Sequence, residues 1–330
     1  IPANYSTFSL GATSNVEYYG GIYQLVTNVT YGHLILGGAD RKALGAGTIT
    51  IAGNLTINSG SECDANVNDP TVNLAGNFTN NGTFTAGTST MVFNGTVAQS
   101  IGGGATTFYH LTISNTAGVN AGSSSIGVTG TFANSGTFNA DTSTVTFNGT
   151  AAQTITATAT TTFYNLVFNN AAGFTISGGN VTASNALTLT SGVVTTGTNT
   201  LIFSPITSCS VTRTSGYVNG KLRKSFTSTQ TACDFEVGDN SAITHYTPLN
   251  VSFSSVTNNG ALTVSAIGGT GTSATQYDHP QIADSGLDSA NSINRYWILI
   301  PVPSTGGLAF TGATLTVTPL HDATWVDHDN

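Results

Sequence analysis

The sequence predicts an all-β protein, a parallel β-helix (β-solenoid) followed by an antiparallel β-sandwich domain. Two observations carry this prediction: a long internal repeat, and many short alternating polar and apolar segments separated by Gly, Asn and Ser. No segment has the apolar spacing and capping residues of an amphipathic helix. The chain of 330 residues is long enough for an elongated solenoid with an appended domain.

The internal repeat has an offset of 54 residues, which grows to 55 after one insertion. A repeat of this length that tolerates an insertion indicates stacked units whose turns vary while their core positions stay fixed. The matching segments are FNGT at 93–96 and 147–150, GTF at 82–84 and 136–138, and FYHL at 108–111 with FYNL at 163–166.

Alternation within the repeat identifies the inward positions. Val145 and Phe147 lie two residues apart and share one face of a strand, and their counterparts Met91 and Phe93 are also apolar. The outward residue between them is Thr in one copy and Val in the other, so only the inward positions keep their character. Coils of about 20 residues give about eight or nine turns over residues 16–205.

After Pro205 the repeat ends and most of the charged residues follow. We expect a strand at 215–222 ending in an Asn-Gly turn, a hairpin formed by 249–253 and 262–265, and strands at 295–300 and 313–317. The predicted organisation is an N-terminal extended segment (1–15), a solenoid (16–205) and a β-sandwich domain (206–330). A stack of β-sandwiches is the alternative to the solenoid, and a β-propeller is disfavoured because the repeat is irregular and open-ended.

The charge excludes several classes of function. Only 7% of the residues are charged, and the formal net charge is −8 with seven Lys plus Arg. Nucleic-acid binding requires a basic surface, so we expect none. No apolar run reaches the roughly 20 residues that span a bilayer, so we expect no membrane insertion. The chain begins at Ile1 rather than Met, and residues 325–330 have no turn or tail character, so we expect a processed or truncated form.

Catalysis by the solenoid is also disfavoured. Glycosidases and lyases on this fold need paired carboxylates, or acids that hold calcium beside a base. Between residues 71 and 212, Asp141 is the sole charged side chain. We therefore expect no enzymatic activity and no cofactor.

Other acidic and aromatic residues have two interpretations each. Glu62, Asp64 and Asp69 lie near two Asn residues in a loop that could bind a structural calcium ion, although a solvated turn is favoured. Residues 278–288 form a second acidic stretch with the same two interpretations. Trp297 and Trp325 could form a sugar-binding platform, although aromatic residues in a strand are more often core.

The three cysteines point to a disulfide outside the cytoplasm. Cys209 and Cys233 flank a candidate hairpin and could be linked in an oxidising compartment. Cys63 is then left over, either buried, free or linked to another chain. No pair of closely spaced cysteines with histidines is present in the sequence, so a zinc site is disfavoured.

Several short segments in both halves of the chain are characteristic in their composition: NFTNNGTF (77–84), FNGT (93–96), FYNL (163–166), GYVNGKL (216–222), VGD (237–239), YTPL (246–249) and NRYW (294–297). With these segments, both halves of the chain resemble segments of large secreted bacterial surface proteins, especially those of the Bacteroidetes type. The resemblance implies an extracellular or cell-surface location and an adhesive or scaffold role, without catalytic residues. Some relatives carry O-glycans at Asp-Ser/Thr followed by an apolar residue, which implies O-glycosylation at Ser289.

These features favour a structural protein, either the subunit of a surface filament or the stalk of an adhesin. An uncapped solenoid end associates heterologously, so the expected partners are copies of the chain itself in a head-to-tail homopolymer. The N-terminal segment around Tyr5, Phe8 and Leu10 is a candidate inter-subunit strand. The alternative is a carbohydrate-binding or carbohydrate-cleaving module, with surface glycans as partners.

Overall fold

The computed structural model describes residues 10–158, 160–205, 208–240, 245–268, 295–302 and 308–317. These residues contain strands but no helix, and thus no helix that could cross a membrane. In chain order the strands are β1 (Asn15–Tyr19), β2 (Gln24–Val26), β3 (Thr30–Tyr31), β4 (His33–Gly37), β5 (Asp40–Leu44), β6 (Thr48–Ile51), β7 (Leu55–Ile57), β8 (Ser61–Asp64), β9 (Thr71–Leu74), β10 (Phe78–Asn80), β11 (Thr83–Thr85), β12 (Thr90–Phe93), β13 (Gln99–Gly103), β14 (Thr106–Phe108), β15 (His110–Ile113), β16 (Val119–Asn120), β17 (Ser125–Val128), β18 (Phe132–Asn134), β19 (Phe138–Asn139), β20 (Thr144–Phe147), β21 (Gln153–Ala157), β22 (Thr161–Asn169), β23 (Phe174–Ser177), β24 (Val181–Ser191), β25 (Val193–Phe203), β26 (Thr212–Arg213), β27 (Tyr217–Phe226), β28 (Ala232–Phe235), β29 (Val237–Asp239), β30 (His245–Tyr246), β31 (Leu249–Asn258), β32 (Gly260–Gly268), β33 (Arg295–Val302) and β34 (Ala309–Val317).

Each turn of the solenoid contains three strands, so a strand pairs in parallel with the strand three places later. We name the three resulting surfaces face 1 (beginning β1, β4, β7), face 2 (beginning β2, β5, β8) and face 3 (beginning β3, β6, β9). From β22 onward single strands bend around corners, and β22, β24, β25 and β27 each contribute to two faces. The predicted parallel β-solenoid is confirmed, with about 11 turns.

The core of the solenoid is a column of stacked apolar side chains. Alternation within each strand sends every second residue inward, and parallel pairing places inward residues of successive turns beside one another. On face 3 one such row is fully buried and continuous over seven turns. It consists of Ile49, Val72, Met91, Leu111, Phe132, Ile155 and Ile176.

The sequence repeat does not correspond to a whole number of turns. Phe93 ends β12 on face 3, whereas its counterpart Phe147 ends β20 on face 2. The two strands are eight places apart, which at three strands a turn is two full turns and two further strands. Leu111 on face 3 likewise corresponds to Leu166 on face 2. The repeat therefore returns on a different face, which its offset along the chain could not reveal.

The duplicated segment nevertheless rebuilds the same aromatic cluster. In the first copy the rings of Phe78, Phe84 and Phe108 lie with centroids 5.4 to 5.9 Å apart. Edge-to-face and tilted contacts of this kind stabilise a core beyond the apolar area that they bury. The second copy reproduces the cluster with centroids 5.3 to 5.8 Å apart, in Phe132, Phe138 and Phe163.

Buried amides close the corners of the repeat. Gln153 is 1% exposed, and its Nε2 donates to the carbonyl oxygens of Val128 (2.8 Å) and Gly130 (2.9 Å). Its Oε1 accepts hydrogen bonds from the backbone N–H of Gly149 (2.8 Å) and from Nδ2 of Asn170 (3.1 Å). A buried corner exposes backbone groups that would otherwise lack partners, and one glutamine satisfies several of them.

The first copy contains the same arrangement. Oε1 of Gln99 accepts from Gly95 N–H and from Asn115 Nδ2, both at 2.9 Å. Its Nε2 donates to the carbonyl oxygens of Leu74 (2.9 Å) and Gly76. The FNGT-x-x-Q pattern thus contains the end of a strand, the corner that follows it, and the glutamine whose side chain forms hydrogen bonds with the backbone groups at that corner.

The solenoid passes directly into two small antiparallel sheets at its C-terminal end. β27 pairs in parallel with β25 and in antiparallel with β32, and β33 follows β32, so that face 1 continues into an antiparallel sheet. The second sheet contains β28, β31 and β34. Phe226 connects the two sheets, since its ring lies 6.3 Å from Phe235 and 4.9 Å from Phe253.

Two turns predicted from the sequence were wrong. Asn219-Gly220 does not end a strand but lies within β27, where Gly220 has φ of 120° and turns the strand from face 3 to face 1. Residues 249–253 and 262–265 do not form a hairpin, because β31 and β32 lie in different sheets. Gly and Asn suit any bend that needs positive φ, and the dipeptide alone does not show which kind of bend forms.

Parallel pairing also continues past residue 205, through β27 to β29. This accounts for a larger number of turns than the eight or nine predicted for residues 16–205. The sequence loses its repeat at this point, but inward residues such as Val218 and Leu222 remain fully buried. The predicted division into a solenoid (16–205) and a sandwich domain (206–330) as folding units stays a prediction.

Candidate interaction surface

The exposed large apolar side chains are concentrated at the two ends of the described chain. Four of them form a group on the first turn, which we call the N-terminal patch: Tyr19 (74% exposed), Ile22 (72%), Tyr23 (48%) and Leu25 (54%). Four others lie on β33 and β34, at Ile298, Ile300, Phe310 and Leu315. Between these groups only Val67 and Val97 are comparably exposed among the described residues.

The N-terminal patch lies where face 1 meets face 2. β1 pairs with β4 and β2 pairs with β5, and no described strand pairs with the outer edge of either. The guanidinium of Arg41 lies 5.2 Å from the ring centroid of Tyr23 and forms a 2.9 Å ion pair with the buried carboxylate of Asp64. Arg41 therefore holds one side of the patch against the second and third turns.

The inward residues of the two terminal strands of face 1 are incompletely covered. On β1, Val16 and Tyr18 pack against the core but remain half-buried, whereas Leu34, the β4 residue paired with Val16, is fully buried. On β33, Trp297 and Leu299 are half-buried in the same way. Each end of the apolar column thus presents a row that a further strand would cover.

The acidic residues considered for calcium form contacts within the chain, and Glu62 and Asp64 lie on β8 rather than in the predicted loop. Glu62 accepts a 2.6 Å hydrogen bond from Thr85 Oγ1, and Asp69 Oδ1 accepts one from the backbone N–H of Thr88 at 2.6 Å. Asp64 is occupied by its ion pair with Arg41. Among the described residues, no three His, Cys, Asp or Glu side chains come together as metal ligands would.

The sides of the solenoid carry few ionisable groups. Asp141 has φ of 47° and accepts a 2.8 Å hydrogen bond from Gly122 N–H, so it supports a corner. His110 Nδ1 contacts Thr131 Oγ1 at 2.6 Å, and partial burial lowers the pKa of this histidine. A shallow depression of about 320 Å³ lies beside Phe226 and is lined without any ionisable side chain.

A disulfide and a buried ion pair lie together at the C-terminal end. Cys209 and Cys233 are joined with their sulfur atoms 2.16 Å apart. Lys224 Nζ lies 2.7 Å from Glu236 Oε2 and donates to the Cys209 carbonyl oxygen at 2.8 Å. Burial lowers the pKa of Lys224 and raises the pKa of Glu236, and the attraction within the pair opposes both shifts.

The remaining site residues predicted from the sequence are distributed as follows. Tyr5, Phe8 and Ser289 lie outside the described residues, as do Trp325 and the acidic stretch at 278–288. Leu10 is half-buried against the core of its own chain. Two further predicted residues lie within the described part. Cys63 is fully buried, and Trp297 donates from Nε1 to the Thr247 carbonyl oxygen at 2.9 Å.

Sequence reasoning missed the N-terminal patch and the Lys224–Glu236 pair. The signal for the patch was available: residues 18–26 (YYGGIYQLV) are rich in apolar residues but do not alternate regularly. The ion pair left no local signal, because its two residues are twelve apart and meet only through the fold.

Comparisons with known proteins found no match. In these comparisons no family model, curated protein or solved structure matched the chain.

Proposed function

We propose that this chain is an extracellular structural protein that assembles head to tail through β contacts, as the subunit of a surface filament or the stalk of an adhesin. The observation that carries the proposal is the location of the exposed large apolar side chains, eight of which lie on the first turn and on the last strands, with only Val67 and Val97 between them among the described residues. Exposed apolar surface of this kind marks interaction sites, and sites at opposite ends of a solenoid favour an open linear assembly.

The rest of the solenoid is suited to a structural role as a stalk between the two ends. Its buried apolar side chains form one continuous cluster, and the buried amides of Gln99 and Gln153 satisfy the backbone groups of two corners. Such stacked architectures gain stability from contacts between neighbouring turns. The side surface offers Asp141 alone as an acid over residues 71–212, and we propose no catalytic role.

An extracellular or cell-surface location fits the cysteine chemistry and the low charge. The Cys209–Cys233 disulfide belongs to oxidising compartments, since thiols are kept reduced in the cytosol of most cells. The resemblance of both halves to secreted bacterial surface proteins supports the same location. We include in the proposal that the chain is a surface protein of the Bacteroidetes type.

Sedimentation velocity over a wide range of concentrations, with negative-stain electron microscopy of the same samples, tests the assembly. We expect sedimentation coefficients that rise with concentration, and linear particles whose width equals that of one solenoid. A protein that stays monomeric at the highest concentration, without linear particles, would refute the filament.

A glycan-binding module is the second candidate, and one observation favours it. Tyr19 and Tyr23 are both exposed on the N-terminal patch, and exposed aromatic rings can stack on sugar rings. A glycan array with the wild-type protein and a Tyr19→Ala/Tyr23→Ala variant separates the candidates. If the variant loses glycan binding and the wild type is monomeric, the filament proposal is refuted and the glycan-binding proposal is supported.

A further inference from the structure

The strand directions on face 1 identify how one copy meets the next. The parallel strands of this face run from β1 to β27. β32 runs antiparallel to β27, and β33 runs antiparallel to β32. Two reversals restore the original direction, so β33 points the same way as β1.

β33 is the one long terminal strand with this direction among the described residues. Face 2 ends in β26, which has two residues, and face 3 ends in β30, which runs antiparallel to β29. β33 has eight residues, and among the described strands it pairs with β32 alone, which leaves its outer edge open. Face 1 is thus the face whose last strand can accept a further parallel strand.

The side chains of the two terminal strands match in their alternation. β1 directs Val16 and Tyr18 toward the core, and β33 does so with Trp297 and Leu299. Tyr19 at the end of β1 is exposed on the outer surface, and Ile300 on β33 is exposed to 51%. A shift of one residue in the pairing would place inward side chains of one strand beside outward side chains of the other, so this pattern restricts the register.

We propose that β1 of a second copy pairs in parallel with β33, with Val16 beside Trp297 and Tyr18 beside Leu299. This joint rests on the proposed head-to-tail assembly and specifies its contact. The two half-buried rows then cover each other and continue the apolar column from one copy into the next. On the outer surface the same register places Tyr19 beside Ile300.

Association of three proteins tests the contact by sedimentation velocity. The wild type is compared with Ile298→Glu/Ile300→Glu on β33, where the proposed register places a second carboxylate beside Glu17 of the next copy. The matched control is Ala313→Glu/Leu315→Glu on β34, another exposed terminal strand. We expect the β33 variant to have a dissociation constant at least about tenfold higher than the wild type, and the control to associate like the wild type. Circular dichroism and thermal melting verify that both variants fold.

The results separate the joint from the assembly itself. If the wild type associates and the β33 variant associates equally well, the proposed joint is wrong while head-to-tail assembly survives. Loss of association in the β34 control alone also overturns the joint. A wild type that remains monomeric at every concentration overturns both proposals.

Cross-linking tests the register. A mixture of Tyr19→Cys and Ile300→Cys proteins, treated with a short bismaleimide, is expected to give a covalent dimer that contains one chain of each kind. The native cysteines are protected, because Cys63 is buried and the other two form a disulfide. A mixture of Tyr19→Cys and Leu315→Cys is the control. Equal cross-linking in both mixtures would refute the register.

Discussion

Replacement of Gln153 by methionine should destabilise the solenoid by about 4 kcal/mol. The side chain makes four hydrogen bonds, to Val128, Gly130, Gly149 and Asn170, and it is almost completely buried. A net contribution of about 1 kcal/mol for each bond gives the total. Methionine has nearly the same volume, so a cavity adds little to the loss.

Urea unfolding followed by circular dichroism measures this loss. Gln99→Met should cost a similar amount, since Gln99 makes the same contacts in the first copy. Thr154→Val, at the neighbouring half-buried position, is the control and should change the free energy of unfolding by less than about 0.5 kcal/mol. A loss below about 1 kcal/mol for Gln153→Met, with an unchanged m value, would refute the role of the amide.

The variant Gln153→Glu tests the hydrogen bonds that Gln153 donates, because glutamate has nearly the same shape as glutamine but lacks the amide N–H groups. A carboxylate cannot donate to the carbonyl oxygens of Val128 and Gly130, whereas a protonated carboxyl group can donate to one of them. Burial would raise the pKa of this introduced group in the folded state. Its protonated form stabilises the folded state at low pH, and this stability is lost as pH rises through the raised pKa. Gln153→Glu should therefore unfold more easily at pH 7 than at pH 4, relative to the wild type, and equal effects at both values would contradict the donor role.

Three other predictions concern the cysteines and the buried ion pair. Reduction of the disulfide between Cys209 and Cys233, which have a sequence separation of 24, should lower the free energy of unfolding by about 3 kcal/mol, measured by urea unfolding with and without reductant. Lys224→Met should cost about 3–5 kcal/mol at pH 7, because it leaves the Glu236 carboxylate buried and unpaired, and part of this loss should be recovered as pH falls and Glu236 is protonated. Burial raises the pKa of the Cys63 thiol, so a thiol reagent should label it under non-reducing conditions only after unfolding.

The lysine prediction has a matched control variant, and each of the three predictions has an outcome that would contradict it. Lys221→Met, on the same strand, removes an exposed contact to the Thr198 carbonyl oxygen and should cost less than about 1 kcal/mol. Similar losses for the two lysine variants would contradict the ion-pair argument. Unchanged unfolding after complete reduction would contradict the disulfide prediction. Rapid labelling of native protein at Cys63 would show that the third turn is open.

The sequence was sufficient to predict the solenoid because its periodicity is local. Alternation in segments such as 144–147 identifies the inward residues, and Gly, Asn and Ser mark the corners. The number of strands in a turn could not be predicted, because an offset along the chain does not specify an angle around the axis. The buried role of Gln153 was also missed, since glutamine is usually exposed and its partners lie on other turns.

The location of the exposed apolar surface at the ends of the described chain could not be predicted from local sequence patterns. Leu25 would be a normal apolar residue in any strand, and it is exposed because its turn is the first one in the described stack. Sequence reasoning predicted an inter-subunit strand around Tyr5, Phe8 and Leu10, which stays a prediction, and it did not identify β1 as a terminal strand. The order of the strands, rather than their composition, identifies the ends.

The mismatch between the repeat and the turn has a consequence for how such a chain can change length. Every added copy of the 54-residue unit would lengthen the rod and also rotate everything beyond it by a third of a revolution. Three added copies would restore the original orientation of the far end. Proteins that differ in the number of these units would therefore differ in length, and the far end of the solenoid would have only three possible orientations about its axis.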